Sequence, residues 1–322
     1  MRGTSTDPPA SAGRCLINAS EPAGPGDLVV ALTDEDVAAG RARGAPVVPF
    51  HEAAEAPAPV RGGAVIGVPE RRGYSFLAVL SWLVGRTVEP GAEVVWEVGR
   101  HPAPRTVHKR LAALGWDLEA ERRSGRVARL VGRRPPGLGE APRPRHFRTR
   151  LGRADLRLEA DYGAFSRDDV DEGTRLLVET ALARLPRHPV VLDVGTGCAP
   201  IALALLANAW AGRAVATDVD SVALWLAARN ARANSLQVQL VLGDRPPTAA
   251  PGTAVTCNFP THAERPRSDR LLADLVAAAR TATVVIVVHA SLEDRFRRRV
   301  AAGGGDTRRL AVAGHAVLQL GP

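Results

Sequence analysis

Short apolar runs, separated by clusters of Gly, Pro and charged residues, recur along the whole chain. Residues 27–32 (DLVVAL) and 64–68 (AVIGV) predict short strands, and 93–98 (EVVWEV) predicts another by its β-branched and aromatic content. Residues 75–84 (SFLAVLSWLV) are apolar nearly throughout and predict a buried helix. Val107, Leu111 and Leu114 share one face of a helix over 106–114, and 126–131 (RVARLV) alternates as a strand. Residues 133–145 (RRPPGLGEAPRPR) break the pattern, because proline forbids continued helix or central strand. The organisation read from this is a disordered tail over 1–13, an α/β domain over 14–134, a linker over 135–146 and a second domain over 147–322.

The second domain is more strongly periodic. A strand pair is predicted over 147–158, then a helix over 171–184. Strands at 190–193, 213–217, 238–242, 253–257 and 283–289 alternate with helices at 201–209, 222–233, 269–279 and 292–301. Two more strands close the chain over 308–320. Alternating strands and helices need crossover connections, so the sheet is expected to be mostly parallel and Rossmann-like. Its ligand crevice is expected at the strand tips.

Composition narrows the class. With 322 residues, two domains are expected, and 45% hydrophobic residues fit a globular protein. No apolar run is long enough to span a bilayer, and residues 1–13 lack the apolar core of a signal peptide, so a cytoplasmic location without membrane contact is expected. Cys15, Cys198 and Cys257 lie far apart, so neither a metal cluster nor a disulfide framework is expected. The formal charge is +8, yet residues 100–153 hold fifteen Lys/Arg against four Asp/Glu, leaving the rest of the chain net negative. Such a concentrated basic segment suggests a polyanionic partner such as RNA. A general arginine bias offers the plainer explanation, since Lys109 is the only lysine.

The chemistry concentrates after the linker. In VVLDVGTGCAP (190–200) an apolar strand enters a glycine turn from which a helix leaves. Gly195 and Gly197 let backbone pass where a Cβ would meet a ligand, and the helix N-terminus offers free N–H groups. Ala199 replaces the third glycine of a dinucleotide fingerprint. The next strand ends at Asp218, where a carboxylate can accept two ribose hydroxyls, and the third ends in Gly243-Asp244. The fourth runs into Cys257-Asn258-Phe259-Pro260-Thr261-His262. An exocyclic amine is a poor nucleophile. A side-chain amide oxygen and a neighbouring carbonyl can accept its two N–H bonds and orient its lone pair, which makes Asn258 the candidate catalytic residue, with Phe259 and Pro260 beside it.

DVGTG, TDVD, GD and CNFP, in this order, resemble class I S-adenosylmethionine-dependent methyltransferases. Residues 161–174 (DYGAFSRDDVDEGT) resemble the GVFS…D.GT segment of the small methyltransferase domain in small-subunit ribosomal RNA guanine-N2 methyltransferases. The likeness spans about 147–320. It implies a seven-stranded methyltransferase sheet preceded by a smaller, degenerate, methyltransferase-like domain that helps bind RNA. It implies S-adenosylmethionine as cofactor, with Asp193, Gly195, Thr196 and Gly197 at its methionine end, Asp218 and Val219 at the ribose, and Gly243 and Asp244 at the adenine edge. Phe165, Ser166, Thr174 and Asn258 would complete that site. His262, Arg265 and Arg267 would meet substrate.

The motif departs from the Asn-Pro-Pro-aromatic pattern of amino-methylating relatives. Phe259 replaces the first proline, and Thr261 replaces the aromatic that stacks on the target base. Phe259 is one candidate to supply that stacking. Three readings follow: a methyltransferase acting on a guanine N2 amine of ribosomal RNA, one acting on a small molecule or protein side chain, and a non-catalytic RNA-binding or assembly protein.

Overall fold

In the computed structural model the described residues are 13–24, 26–56, 60, 62–70, 72–124, 126–138, 140–163, 168–261 and 264–321, with backbone only for 120–124. Almost all of the expected tail over 1–13 lies outside them, as do Phe165, Ser166 and His262. The chain divides into two units between Arg143 and Pro144.

The first unit runs β1 (Cys15–Ile17), β2 (Leu28–Ala31), α1 (Asp34–Ala42), β3 (Val47–Pro49), α2 (Phe50–Glu55), β4 (Ala64–Gly67), α3 (Phe76–Thr87), β5 (Glu93–Val98), α4 (Pro104–Ala113), β6 (Leu118–Ser124) and β7 (Val127–Arg133). Its seven strands are ordered β3-β2-β1-β4-β5-β7-β6, and β7 alone runs against the others. The sequence pattern shows only four of these strands. β1 and β3 have three residues each, too few to display a period. The unit is shorter than the second, but its sheet has as many strands as the main sheet of the second, so what sets it apart lies at its strand tips.

The second unit runs β8 (His146–Leu151), β9 (Ala154–Glu159), α5 (Glu172–Arg184), β10 (His188–Val194), α6 (Pro200–Ala207), β11 (Ala211–Asp218), α7 (Ser221–Ala233), β12 (Gln239–Leu242), β13 (Thr253–Asn258), α8 (Arg265–Ala278), β14 (Thr283–His289), α9 (Glu293–Ala302), β15 (Asp306–Val312) and β16 (His315–Gly321). β8 and β9 pair as a separate hairpin. The remaining seven strands are ordered β12-β11-β10-β13-β14-β16-β15, with β16 antiparallel. Position by position, this is the order of the first sheet.

Alternation along the central strands explains the two-sided core. Val285 and Val287 of β14 join one apolar cluster, and Val284, Ile286 and Val288 join the other. Successive side chains of a strand point to opposite faces, so an unbroken apolar run is what a sheet covered on both sides requires. Each fully buried valine contributes about 1.5–3 kcal/mol. The same alternation turns Thr256 and Asn258 of β13 toward one face and Cys257 toward the other. β10 and β13 are neighbours from which the chain winds outward in both directions, so their tips flank the topological switch point of the sheet.

In the first unit the chain itself bridges that place. Asn18, just past β1, donates its side-chain N–H to the Gly67 carbonyl at the end of β4, at 3.0 Å. A Cβ on Gly67 would lie 1.9 Å from the Asn18 carbonyl oxygen. Ser20 then donates its backbone N–H (2.7 Å) and its hydroxyl (2.8 Å) to Glu97 of β5. The loop after β1 therefore lies across the tip of β4, where the second unit keeps a hollow.

Candidate active site

The hollow of the second unit encloses about 650 Å³ at the ends of β10, β11, β13 and β14 and the start of β16. That is within the usual size of a small-molecule pocket. One wall is the glycine turn after β10. Gly195 (φ 67°) and Gly197 (φ 57°) have left-handed backbones, and a Cβ built on either would meet nothing within 4 Å. The turn thus presents bare backbone to open space, and a side chain there would occupy the room a ligand needs.

Asp193 underlies this turn and does not line the hollow. It is fully buried. Its register partner on β13 is Thr256, whose hydroxyl donates to Oδ1 at 2.9 Å, and the Thr196 hydroxyl donates to Oδ2 at 2.5 Å. Asp193 thus touches the hollow only by way of Thr196, which lines it. Burial pushes its carboxyl up to about 6, against the pull of the two hydroxyls. A carboxyl whose folded pKa is raised stabilises the fold fully below its ordinary value, near 4, and loses that contribution as pH rises through 6. The Asp193→Asn variant should therefore abolish about 2 kcal/mol of pH-dependent stability between pH 4 and pH 6. Thermal unfolding across that window checks this, and parallel curves for both proteins would contradict it.

Asp218, at the tip of β11, faces the hollow. Its Oδ2 accepts the Gly197 N–H at 2.8 Å, and its Oδ1 accepts the Asp220 N–H at 2.9 Å. The carboxylate thus clasps the glycine turn to the next loop and still has lone pairs for hydroxyl donors. Burial, then the neighbouring Asp220 charge, raises its pKa to about 6. The Val219 N–H helps hold the ionised form. Asp220 caps α7 by accepting from the Val222 N–H and also lines the hollow.

Asn258 ends β13 on the face that carries α5. Its Nδ2 donates to Asp171 Oδ1 at 3.1 Å and to Thr174 Oγ1 at 3.1 Å. Asp171 is the N-cap of α5 and also accepts the Thr174 N–H at 3.0 Å. An ionised carboxylate only accepts, so the amide nitrogen must face Asp171, which leaves Oδ1 as the free acceptor. The Asp171→Ala variant should lower kcat about tenfold through this misalignment and destabilise α5 by about 1 kcal/mol. Asparagine caps helices equally well, so Asp171→Asn should recover most of both. Steady-state kinetics beside thermal melts checks this, and full kcat in Asp171→Ala would refute the positioning role.

Phe259 is turned the other way. It is 5% exposed and packs edge-on against Phe296 of α9, with ring centroids 4.9 Å apart. It forms a wall of the hollow and anchors the loop. Its N–H donates to the Val287 carbonyl at 3.0 Å, which places Pro260 and the exposed Thr261 at the rim.

Asp244 stands 3.6 Å from Arg270 of α8, and neither it nor Gly243 lines the hollow. Gly243 instead donates its N–H to the Asp218 carbonyl at 2.9 Å. Arg265 and Arg267 open α8 and do not line the hollow either.

Sequence reasoning missed Asp171, Asp220, His289 and His315. Asp171 and Asp220 were legible as N-cap residues preceding helices. His289 ends an apolar strand and His315 opens an antiparallel one; their rings meet edge-on at 5.2 Å only because β14 and β16 pair.

A sheet of this order, with a glycine turn after its first strand, an acid at the tip of its second and an asparagine at the tip of its fourth, gives the second unit the Rossmann-like fold of class I S-adenosylmethionine-dependent methyltransferases. Residues 155–285 match the family model of the methyltransferase small domain. Among particular proteins, the chain is similar to the ribosomal RNA small subunit methyltransferase C of Hahella chejuensis (strain KCTC 2396). The two are 29% identical over 177 residues, covering 53% of this chain and 51% of the relative. The chain thus spans about half the length of the curated relative it matches. It is also similar in fold to the T. thermophilus 16S rRNA N2 G1207 methyltransferase, solved with AdoMet and guanosine. That match has a TM-score of 0.71 at 20% identity, covering 95% of this chain and 87% of that one.

Proposed function

We propose that this chain transfers a methyl group from S-adenosylmethionine to the exocyclic N2 amine of a guanine in ribosomal RNA. The observation that carries the reading is the tethering of the Asn258 amide nitrogen by Asp171 and Thr174, which aims its oxygen as an acceptor beside the bare glycine turn. The names of the similar proteins supply the acceptor class, as both act on small-subunit ribosomal RNA.

The site suits the cofactor. Gly195 and Gly197 leave room for it, Asp218 offers a carboxylate to its ribose hydroxyls, and Thr196, held by Asp193, faces its methionine end. Phe165 and Ser166 belong to this reading as cofactor-binding residues, and Asp244 as the adenine contact. When bound, the cofactor supplies an electrophilic methyl group on a sulfonium.

Asn258 Oδ1 would accept one N–H of the target amine and a carbonyl of the 258–260 turn the other, turning the nitrogen lone pair toward the methyl group. The methylated nitrogen is acidic, because its lone pair belongs to the ring, so its proton passes to water without a dedicated base. Flipping the guanine out of its stack costs a few kcal/mol, which phosphate contacts offset. Arg105, Lys109 and Arg110 are exposed on α4 and fit that task. Several other arginines of the basic segment are held in ion pairs, such as Arg129 with Glu97 and Arg150 with Asp155, so its formal charge overstates its reach. Such a reading also places the protein in the cytoplasm. Among the described residues, no helix is long and apolar enough to cross a membrane.

The test is label transfer from tritiated S-adenosylmethionine to 16S rRNA, 30S particles, guanosine, small amines and protein, with digestion to nucleosides. Label in N2-methylguanosine is the expected result. Label confined to a metabolite or a protein would sink the reading.

A further inference from the structure

A furrow opens beside the acceptor end of the hollow, between α8 and α9. It encloses about 190 Å³ and shares Phe259, Thr261 and Leu292 with the hollow. It joins the hollow where Asn258 would hold the acceptor, on the side away from Asp218. Its floor is apolar, built from Phe259, Val288 and Phe296. Its rim is Arg265, Arg295 and Arg299, and the same three arginines line its continuation along the two helices. Arg295 and Arg299 stand four residues apart and so share one face of α9. Asp269 of α8 pairs with Arg299 and lies 3.8 Å from Arg265, offsetting one of the three charges. Three guanidiniums over an apolar floor, next to a base-sized pocket, have the chemistry of a phosphate clamp: planar donors, bidentate geometry and excess positive charge.

We propose that Arg265, Arg295 and Arg299 form a phosphate site that grips the RNA backbone beside the nucleotide being methylated. The inference rests on the guanine reading above. A base entering the hollow brings its flanking phosphates to the mouth. The hollow, lined by Asp171, Asp218 and Asp220, repels them, whereas the furrow at Thr261 and Leu292 can hold them. Only Arg265 of this trio was suggested by the sequence, because α9 reaches α8 through the sheet and not through chain proximity.

The test compares wild type with Arg295→Gln/Arg299→Gln on guanosine and on guanosine 3′,5′-bisphosphate, which differ only in the phosphates. Wild type should prefer the bisphosphate in kcat/KM by about tenfold, and the double variant should lose that preference. In parallel, anisotropy with a labelled 16S rRNA fragment should show weaker binding and a salt slope reduced by about 0.7 per lost phosphate contact. An unchanged preference, or an equal fall on both substrates, overturns the proposal. If wild type puts label into neither guanine substrate nor 16S rRNA, the functional reading above fails instead. Unchanged RNA affinity in the double variant would then still overturn the phosphate site separately.

Discussion

Replacing Asn258 by alanine is expected to lower kcat by about 100- to 1000-fold while changing the dissociation constant for S-adenosylmethionine less than about threefold. The split follows from where the side chain is held. Its amide nitrogen is committed to Asp171 and Thr174, so it contributes an oriented acceptor and little cofactor contact. That acceptor matters most as the amine nitrogen gains charge in transfer, which is a transition-state interaction and therefore appears in kcat. Asn258→Asp should be nearly as inactive, because a second carboxylate facing Asp171 Oδ1 loses the tether and gains repulsion. Rapid-quench methyl transfer with saturating guanosine, beside calorimetric cofactor titration, separates the two quantities. Near-normal kcat in the alanine variant would remove Asn258 from the chemistry.

The second large effect is on binding. Asp218→Ala should weaken S-adenosylmethionine binding about 100-fold, since hydrogen bonds to a charged acceptor contribute about 1.5–3 kcal/mol each. Part of that loss arises from the protein itself, because the Gly197 and Asp220 N–H groups would lose their common acceptor. The wild type should show a matching pH dependence. The carboxyl titrates at about 6, so cofactor affinity should be full above pH 7 and fall as pH drops through 6. Asp218→Asn should be weaker throughout and flat across this range. Calorimetric titration at several pH values decides it, and a pH-independent wild type would show that Asp218 is not the ribose acceptor.

Much of this site is legible from local pattern. The glycine turn, the acid at the end of β11 and the asparagine at the end of β13 each sit where an apolar run stops, and such stops are visible without coordinates. Sequence places Asp193 at the turn but cannot say which face of β10 it takes. Alternation sends it to the interior beside Thr256, a neighbour 63 positions away. Phe259 shows the same limit. Its type suggests stacking, yet the strand's pleat points it at Phe296. Asp244 is legible as the acid that follows β12, whereas its pairing with an arginine of α8 is not.

The period of apolar residues and the places where it breaks decided, without further help, that the second half is a doubly wound α/β domain with a ligand crevice at its strand tips. These are short-range properties, set by backbone geometry and the burial of one or both strand faces. Long-range pairing decided the rest. Strand order brought Asp171 to Asn258, His315 to His289 and α9 to α8, and it laid the chain of the first unit across its own crevice. Such contacts depend on which strands become neighbours, a choice made by packing the whole sheet and written in no single segment.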